Sequence, residues 1–190
     1  MSTEIAKYES KYVAKKALFS FLGNTFRIFD QGGNLQFFIK QKAFKLKEEI
    51  NVFADEGQTD KRLVIKAHGI SDFSGGYDIA DAQTGESVGT GKRAGLKSLF
   101  KDEWEILDAD GASAGKVVET GGAMIFIRKF LKIIPQKYEV TYMGDKVGTI
   151  QQRFNPFQLA YDVDLSSGKI DPRLGVGMVV LLLAIEGGQD

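Results

Sequence analysis

The sequence predicts a mainly β fold, a closed antiparallel β-barrel of about twelve strands that encloses a hydrophobic C-terminal α-helix. Alternating apolar stretches recur along the 190 residues and are separated by aspartate and glycine turns, which is the pattern of successive hairpins. Residues 174–185 contain no charged or strongly polar side chain. A helix that is apolar on every side must be buried on every side.

The turns recur at a nearly constant interval. Four aspartates precede turn glycines at spacings of 25, 26 and 27 residues; they are Asp30, Asp55, Asp81 and Asp108. An aspartate side chain accepts hydrogen bonds from the backbone ahead of a turn, and the following glycine takes the positive φ that other residues avoid. A fifth hairpin is expected at Tyr138–Tyr142, with its turn at Gly144 and Asp145.

Residues 123–134 depart from the alternating pattern. Apolar side chains there are interrupted only by Arg128, Lys129 and Lys132. The segment is either a short basic amphipathic helix, which we prefer, or a buried strand that ends at Pro135, because periodicity alone does not separate the two.

The C-terminal helix has clear start and stop signals. Asp171 is a capping residue, Pro172 suits the first turn, and Gly187 with Gly188 ends the helix. Twelve apolar residues rise only about 18 Å, whereas a bilayer core is about 30 Å thick. The strands therefore have to enclose the helix, and closure into a barrel also removes exposed strand edges. Gly175 and Gly177 are expected where strands approach the first turns of the helix.

Three segments resemble the tubby-like C-terminal superfamily, specifically its LURP-one-related branch, with phospholipid scramblases as more distant relatives. They are YVAKKALFSFLGNTFRIFD at 12–30, RAGLKSLFKDEWEILD at 93–108 and DPRLGVGMVVLLLAIE at 171–186. The resemblance covers nearly the whole chain and implies one domain over residues 1–190, with a twelve-stranded barrel around its last helix. Members are variously linked to phosphoinositide binding, lipid movement or plant defence. The calcium segment and palmitoylated cysteines of scramblases have no counterpart here.

Composition restricts the function further. The chain has no cysteine, one histidine, and 25 basic against 25 acidic residues, so thiol chemistry is excluded and no overall field attracts nucleic acid. No secretory signal is seen at the N-terminus. We expect a cytoplasmic monomer that can be peripheral to a membrane and that is not an enzyme. No cofactor is expected, and no metal, because Asp108 and Asp110 lack the other ligands of a calcium loop.

Basic clusters are the features that suggest a ligand. Lys92, Arg93, Lys97 and Lys101 fall within ten residues and could meet phosphate head groups. The alternative is a solvated connection, whose field Asp102 and the next glutamates partly cancel. Secondary candidates are Arg128, Lys129 and Lys132, in a segment that either enters a membrane interface or plugs one end of the barrel. Lysines at 40, 42, 45 and 47 form a further set typical of a protected edge strand.

These patterns favour a non-enzymatic binding or scaffold module that engages phosphoinositide or other anionic phospholipid weakly. An intracellular carrier or sensor of a small apolar ligand is an alternative, although the helix is expected to fill the barrel. Scramblase-like activity is another. A hydrolase that uses His68 is a further hypothesis; a solvated or hydrogen-bonded histidine explains the same residue.

Overall fold

A computed structural model describes residues 8–17, 24–41, 49–68, 75–94, 103–122, 125, 134–155 and 158–185. Within these residues the chain forms twelve strands followed by one helix. In order they are β1 (Lys11–Ala17), β2 (Asn24–Phe29), β3 (Leu35–Gln41), β4 (Glu49–Phe53), β5 (Lys61–His68), β6 (Gly76–Asp81), β7 (Ser87–Arg93), β8 (Glu103–Leu107), β9 (Ser113–Thr120), β10 (Lys137–Tyr142), β11 (Asp145–Arg153), β12 (Gln158–Asp164) and α1 (Pro172–Ile185).

The twelve strands form one closed barrel with the simplest possible order. Each strand pairs antiparallel with its neighbours in sequence. The barrel closes where β1 pairs with β12, from Lys11 opposite Asp164 to Ala17 opposite Gln158. The predicted closed barrel is therefore confirmed.

Helix α1 is buried within this barrel. Every residue from Leu174 to Ala184 is buried, and Leu181 is 0% exposed. The helix packs against inward-facing side chains from all around the barrel, such as Ile39, Ile65 and Ile150, in one continuous apolar core. The prediction from residues 174–185 is confirmed: an all-apolar helix is enclosed by the chain itself.

The start of α1 follows the predicted capping pattern. Asp171 Oδ1 accepts a hydrogen bond from the Arg173 backbone N–H at 2.8 Å, and the Gly175 N–H donates to the Asp171 carbonyl at 2.9 Å. A Cβ atom on Gly177 would lie 2.8 Å from Ile79 of β6, so the expected close approach of a strand is confirmed there. At Gly175 the neighbour is instead Leu165, just after β12.

Strand β7 lies closest to the helix, followed by β5 and β6. A Cβ atom on Gly91 would lie 2.6 Å from Leu181 and 2.8 Å from the Met178 sulfur. Two other glycines of this region serve the backbone: Gly85 forms the β6–β7 turn, and Gly89 adjoins the β-bulge of β7, where Val88 has no register partner in β6. Gly91 has a different role, because it gives the helix room to approach β7.

The aspartate turns form as predicted. The carboxylate of Asp30 accepts a hydrogen bond from the Asn34 N–H at 2.8 Å, and that of Asp55 accepts one from the Asp60 N–H at 2.8 Å. The carboxylates of Asp81 and Asp108 also accept backbone N–H bonds of their turns. One detail is wrong: in the β4–β5 turn the positive φ belongs to Gln58, at 60°, and not to the glycine before it.

Helix α1 is too short to be a membrane span, and no other helix in the described part of the chain qualifies either. The choice between helix and strand for residues 123–134 lies outside the described residues, apart from Ile125, which is buried, and Ile134.

Candidate functional site

The two ends of the barrel differ in charge. We call one end the acidic rim; it comprises the turns 30–34, 54–60, 82–86, 108–112 and 143–144, together with residues 165–171 that lead into α1. These segments contain eight acidic residues and one basic residue, Lys169. The acidic residues are Asp30, Asp55, Glu56, Asp60, Glu86, Asp108, Asp110 and Asp171. Because hairpin turns use aspartate for backbone capping, the turn chemistry itself concentrates negative charge here.

We call the other end the opposite rim and define it as the last three residues of each strand at that end. It contains six acidic residues, which are Glu49, Asp78, Glu103, Glu105, Glu119 and Glu139. Its basic residues number eight; they are Lys15, Lys16, Lys40, Lys66, Lys92, Arg93, Lys137 and Arg153. The described part of the opposite rim therefore has a net formal charge of +2, against −7 for the acidic rim.

A partly buried arginine connects the helix to the acidic rim. The Arg173 side chain is 12% exposed and forms ion pairs with Asp171 at 2.8 Å, Glu86 at 2.8 Å and Asp81 at 3.4 Å. Burial by itself would raise the pKa of Asp81, but hydrogen bonds from the Thr84 and Gln83 backbone and from Arg173 outweigh burial and lower it. This cluster fixes the start of α1 against the β6–β7 turn.

Comparison with known proteins identifies the family. The model of the LURP-one-related family matches residues 10–183. The chain belongs to the LURP-one-related family. The structure is also similar to the X-ray structure of an Arabidopsis thaliana protein, with a TM-score of 0.55 and 13% identity over 98% of each chain. No curated protein matches the sequence significantly.

Membership of the LURP-one-related family is consistent with a binding or scaffold module, and the similarity at 13% identity supports the fold alone. Helix α1 occupies the interior of this LURP-one-related barrel, where a carrier would need room for its ligand. The outer surface and the rims are therefore the places to look for a site.

The predicted basic cluster of this LURP-one-related barrel begins at the opposite rim, at the end of β7. Lys92 is exposed and is paired in register with Gly76 on one side and Glu105 on the other. Arg93 lies on the opposite face of β7, in phase with Gly91, and is half-buried. The two side chains therefore point to different faces of the wall. The other predicted site residues lie outside the described residues; they are Lys97, Lys101, Arg128, Lys129 and Lys132.

His68 lies on the outer face of the barrel and forms a hydrogen bond with Asp78. Its Nδ1 lies 2.8 Å from Asp78 Oδ2, and Asp78 Oδ1 accepts a hydrogen bond from the Thr90 hydroxyl at 2.7 Å. The imidazole covers Gly76, where a Cβ atom would come within 2.9 Å of Nε2. The His68 side chain is 61% exposed, as expected for a solvated, hydrogen-bonded histidine. The serine and aspartate that follow it in the sequence lie outside the described residues.

A second group of basic residues, which was not predicted from the sequence, lies at the opposite rim. Lys15, Lys137 and Arg153 come from three different strands, and the barrel places them in the same part of this rim. In the sequence, Lys15 lies more than a hundred residues before Lys137 and Arg153, so the three form no continuous basic segment. The available signal was positional, because each lies within three residues of a strand end that borders this rim.

Proposed function

We propose that this LURP-one-related barrel is a non-enzymatic binding module that attaches to anionic phospholipid surfaces through its opposite rim. The observation that supports the proposal is the separation of charge between the two rims. A seven-residue strand is about 23 Å long, and with the tilt of a barrel strand the rims stay about two Debye lengths apart at physiological salt. A membrane in contact with the opposite rim would therefore be screened from the acidic rim.

The charges fix an orientation as well as an affinity. Each lysine or arginine close to an anionic bilayer contributes about 1 kcal/mol, so a small basic excess gives weak attachment. The acidic rim is repelled by the same surface. The module would therefore present its turns, and the start of α1, to the cytoplasm or to a partner protein.

Vesicle flotation tests the proposal directly. The full chain is mixed with phosphatidylcholine vesicles alone, with phosphatidylserine added, or with a phosphoinositide added. We expect flotation only with the anionic vesicles, decreasing as salt is raised. Failure to float with either anionic mixture at low salt would refute the proposal.

Two variants of equal net charge test the predicted cluster. The first carries Lys92→Gln, Lys97→Gln and Lys101→Gln; the control carries Lys11→Gln, Lys146→Gln and Lys169→Gln, all near the acidic rim. We expect the first to reduce vesicle binding about tenfold or more, and the control to leave it within about twofold because its charges lie beyond the screening length. Equal losses in both variants would contradict a contact at the opposite rim.

A further inference from the structure

Phe154 is a large apolar side chain that the fold leaves in solvent. It is 66% exposed, and among the described residues Met143 is the one other large apolar side chain with such exposure, also 66%. Met143 lies in the β10–β11 turn at the acidic rim, whereas Phe154 directly follows β11 at the opposite rim. The two residues therefore form a natural pair: equal exposure at opposite ends of the barrel.

Basic side chains lie around Phe154. Arg153 is the preceding residue; it pairs in register with Ala160 of β12, which pairs in turn with Lys15 of β1. Neighbouring strands are about 4.8 Å apart, so Lys15 and Arg153 are separated by about 10 Å along this row. Both side chains face outward, because the inward positions of β1 are Tyr12 and Ala14 and Arg153 bonds to exposed Asp162. Lys137 begins the adjacent strand β10 and is exposed.

The positive charge of the opposite rim is concentrated in this part of the barrel. From β10 through β12 to β3 the rim residues include five basic side chains and one acidic one, Glu139; the basic ones are Lys15, Lys16, Lys40, Lys137 and Arg153. From β4 to β9 the described rim residues include three basic and five acidic ones. Two ion pairs involve these residues: Glu139 pairs with Lys146 at 2.6 Å, and Arg153 pairs with Asp162 at 2.6 Å, which offsets one of the five basic charges. Phe154 therefore lies in the sector where an anionic surface is attracted most strongly.

We infer that Phe154 inserts into the interface of an anionic bilayer and anchors the opposite rim there, while Lys15, Lys137 and Arg153 contact the head groups. An aromatic ring at the head-group boundary removes apolar area from water, and the surrounding cations are attracted to the anionic surface. This inference rests on the proposed attachment to anionic phospholipid, and it identifies the part of the rim that enters the membrane.

Tryptophan reporters test the insertion. The Phe154→Trp and Met143→Trp proteins are each mixed with phosphatidylcholine vesicles, with and without phosphatidylserine. The native Trp104 is 1% exposed and supplies a constant background. We expect a blue shift of the emission, and quenching by brominated acyl chains, for Phe154→Trp with the anionic vesicles only. The Met143→Trp protein should show neither change.

Affinity provides the second measurement. Burying most of a phenylalanine side chain changes a partition constant by about tenfold or more, so Phe154→Ser should weaken binding to the anionic vesicles by about that factor. Met143→Ser, which removes an equally exposed side chain at the other rim, should change it by less than about twofold. The far-ultraviolet circular dichroism of both proteins is compared with that of the wild type to check that they fold. If Phe154→Ser does not fold, the Phe154→Trp protein, which keeps an aromatic ring at this position, still tests the insertion.

The outcomes separate this inference from the proposal on which it rests. If the wild-type chain does not bind anionic vesicles, both are wrong. If it binds, but the Phe154→Trp emission does not shift and Phe154→Ser binds within about twofold of wild type, the anchor is wrong and lipid attachment stands.

Discussion

At the scale of single residues, the turn aspartates form hydrogen bonds within their own turns, whereas Arg173 joins parts of the chain that are far apart in the sequence. Asp30 and Asp108 were assigned correctly to turns because their hydrogen-bond acceptors and donors lie within four residues of each other. Gln58 shows the limit of that logic, because a neighbouring residue took the positive φ expected at glycine. The ion pair from Arg173 to Asp81 spans 92 residues, and no sequence pattern connects the two.

Arg173 is expected to contribute more to the free energy of unfolding than an arginine in an exposed ion pair. Arg173→Met leaves Asp81, which is 6% exposed, without its cationic partner. Removing the cationic partner of a buried carboxylate costs about 3 kcal/mol in the free energy of unfolding, and urea denaturation measures it.

The control for this prediction is Arg153→Met. Arg153 also pairs with a carboxylate through two nitrogens, but it and Asp162 are about half exposed. An exposed pair of this kind contributes at most about 1 kcal/mol. Equal destabilisation by the two substitutions would show that burial of the Arg173 cluster does not determine its contribution.

At the scale of elements, the helix was the most predictable part of the fold, because its composition leaves only one environment. Residues 174–185 could not face water and were too short for a bilayer. What the sequence could not specify is which strand the helix approaches. That contact depends on Gly91, whose missing side chain matters only once β7 and α1 are brought together.

The contact between β7 and α1 predicts a specific coupling between two substitutions. Gly91→Ala places a methyl group against Leu181, where the Cβ would lie 2.6 Å from the leucine Cδ1, and overpacking of this kind costs about 1–3 kcal/mol. Leu181→Ala alone opens a cavity and costs about 2–5 kcal/mol. In the double variant the new methyl group occupies part of that cavity, so the free energy of unfolding should fall by less than the sum.

A double-mutant cycle from chemical denaturation measures this coupling. We expect the double variant to be at least about 0.5 kcal/mol more stable than additivity predicts, as for residues in contact. The comparison is Gly91→Ala combined with Leu174→Ala. Leu174 is also buried, but it lies about two helical turns before Leu181. Additive behaviour of Gly91 with Leu181 would mean that the helix does not pass β7 at this position.

At the scale of the whole molecule, the charge separation between the rims was not visible in the sequence. Overall charge is zero, and it becomes asymmetric only because all aspartate turns lie at one end of an up-and-down barrel. The Lys92 cluster could be predicted from the sequence because its residues fall within ten positions, and it stays a prediction. The group of Phe154 and the basic residues around it could not be predicted, since these come together only when β1 closes onto β12.

The concentration of turn aspartates at one rim also predicts how stability depends on pH. Hydrogen bonds from the Asn34 side chain and backbone lower the pKa of Asp30, and a bond from the Asp60 backbone lowers that of Asp55. A carboxyl group with a lower pKa in the folded chain binds fewer protons there than in the unfolded chain. Its stabilising effect is therefore complete above the unfolded pKa of about 4 and is lost as the pH falls through the folded value.

We therefore expect the free energy of unfolding of the wild-type chain to decrease as the pH is lowered below about 4. Replacing two of the turn carboxylates, with Asp30→Asn and Asp55→Asn together, should make that decrease shallower, because the substituted side chains cannot titrate. Denaturant titrations at a series of pH values measure both slopes. If the two proteins lose stability in parallel from neutral pH to about pH 3, the turn carboxylates of the acidic rim do not control the acid response, and the loss originates elsewhere in the barrel.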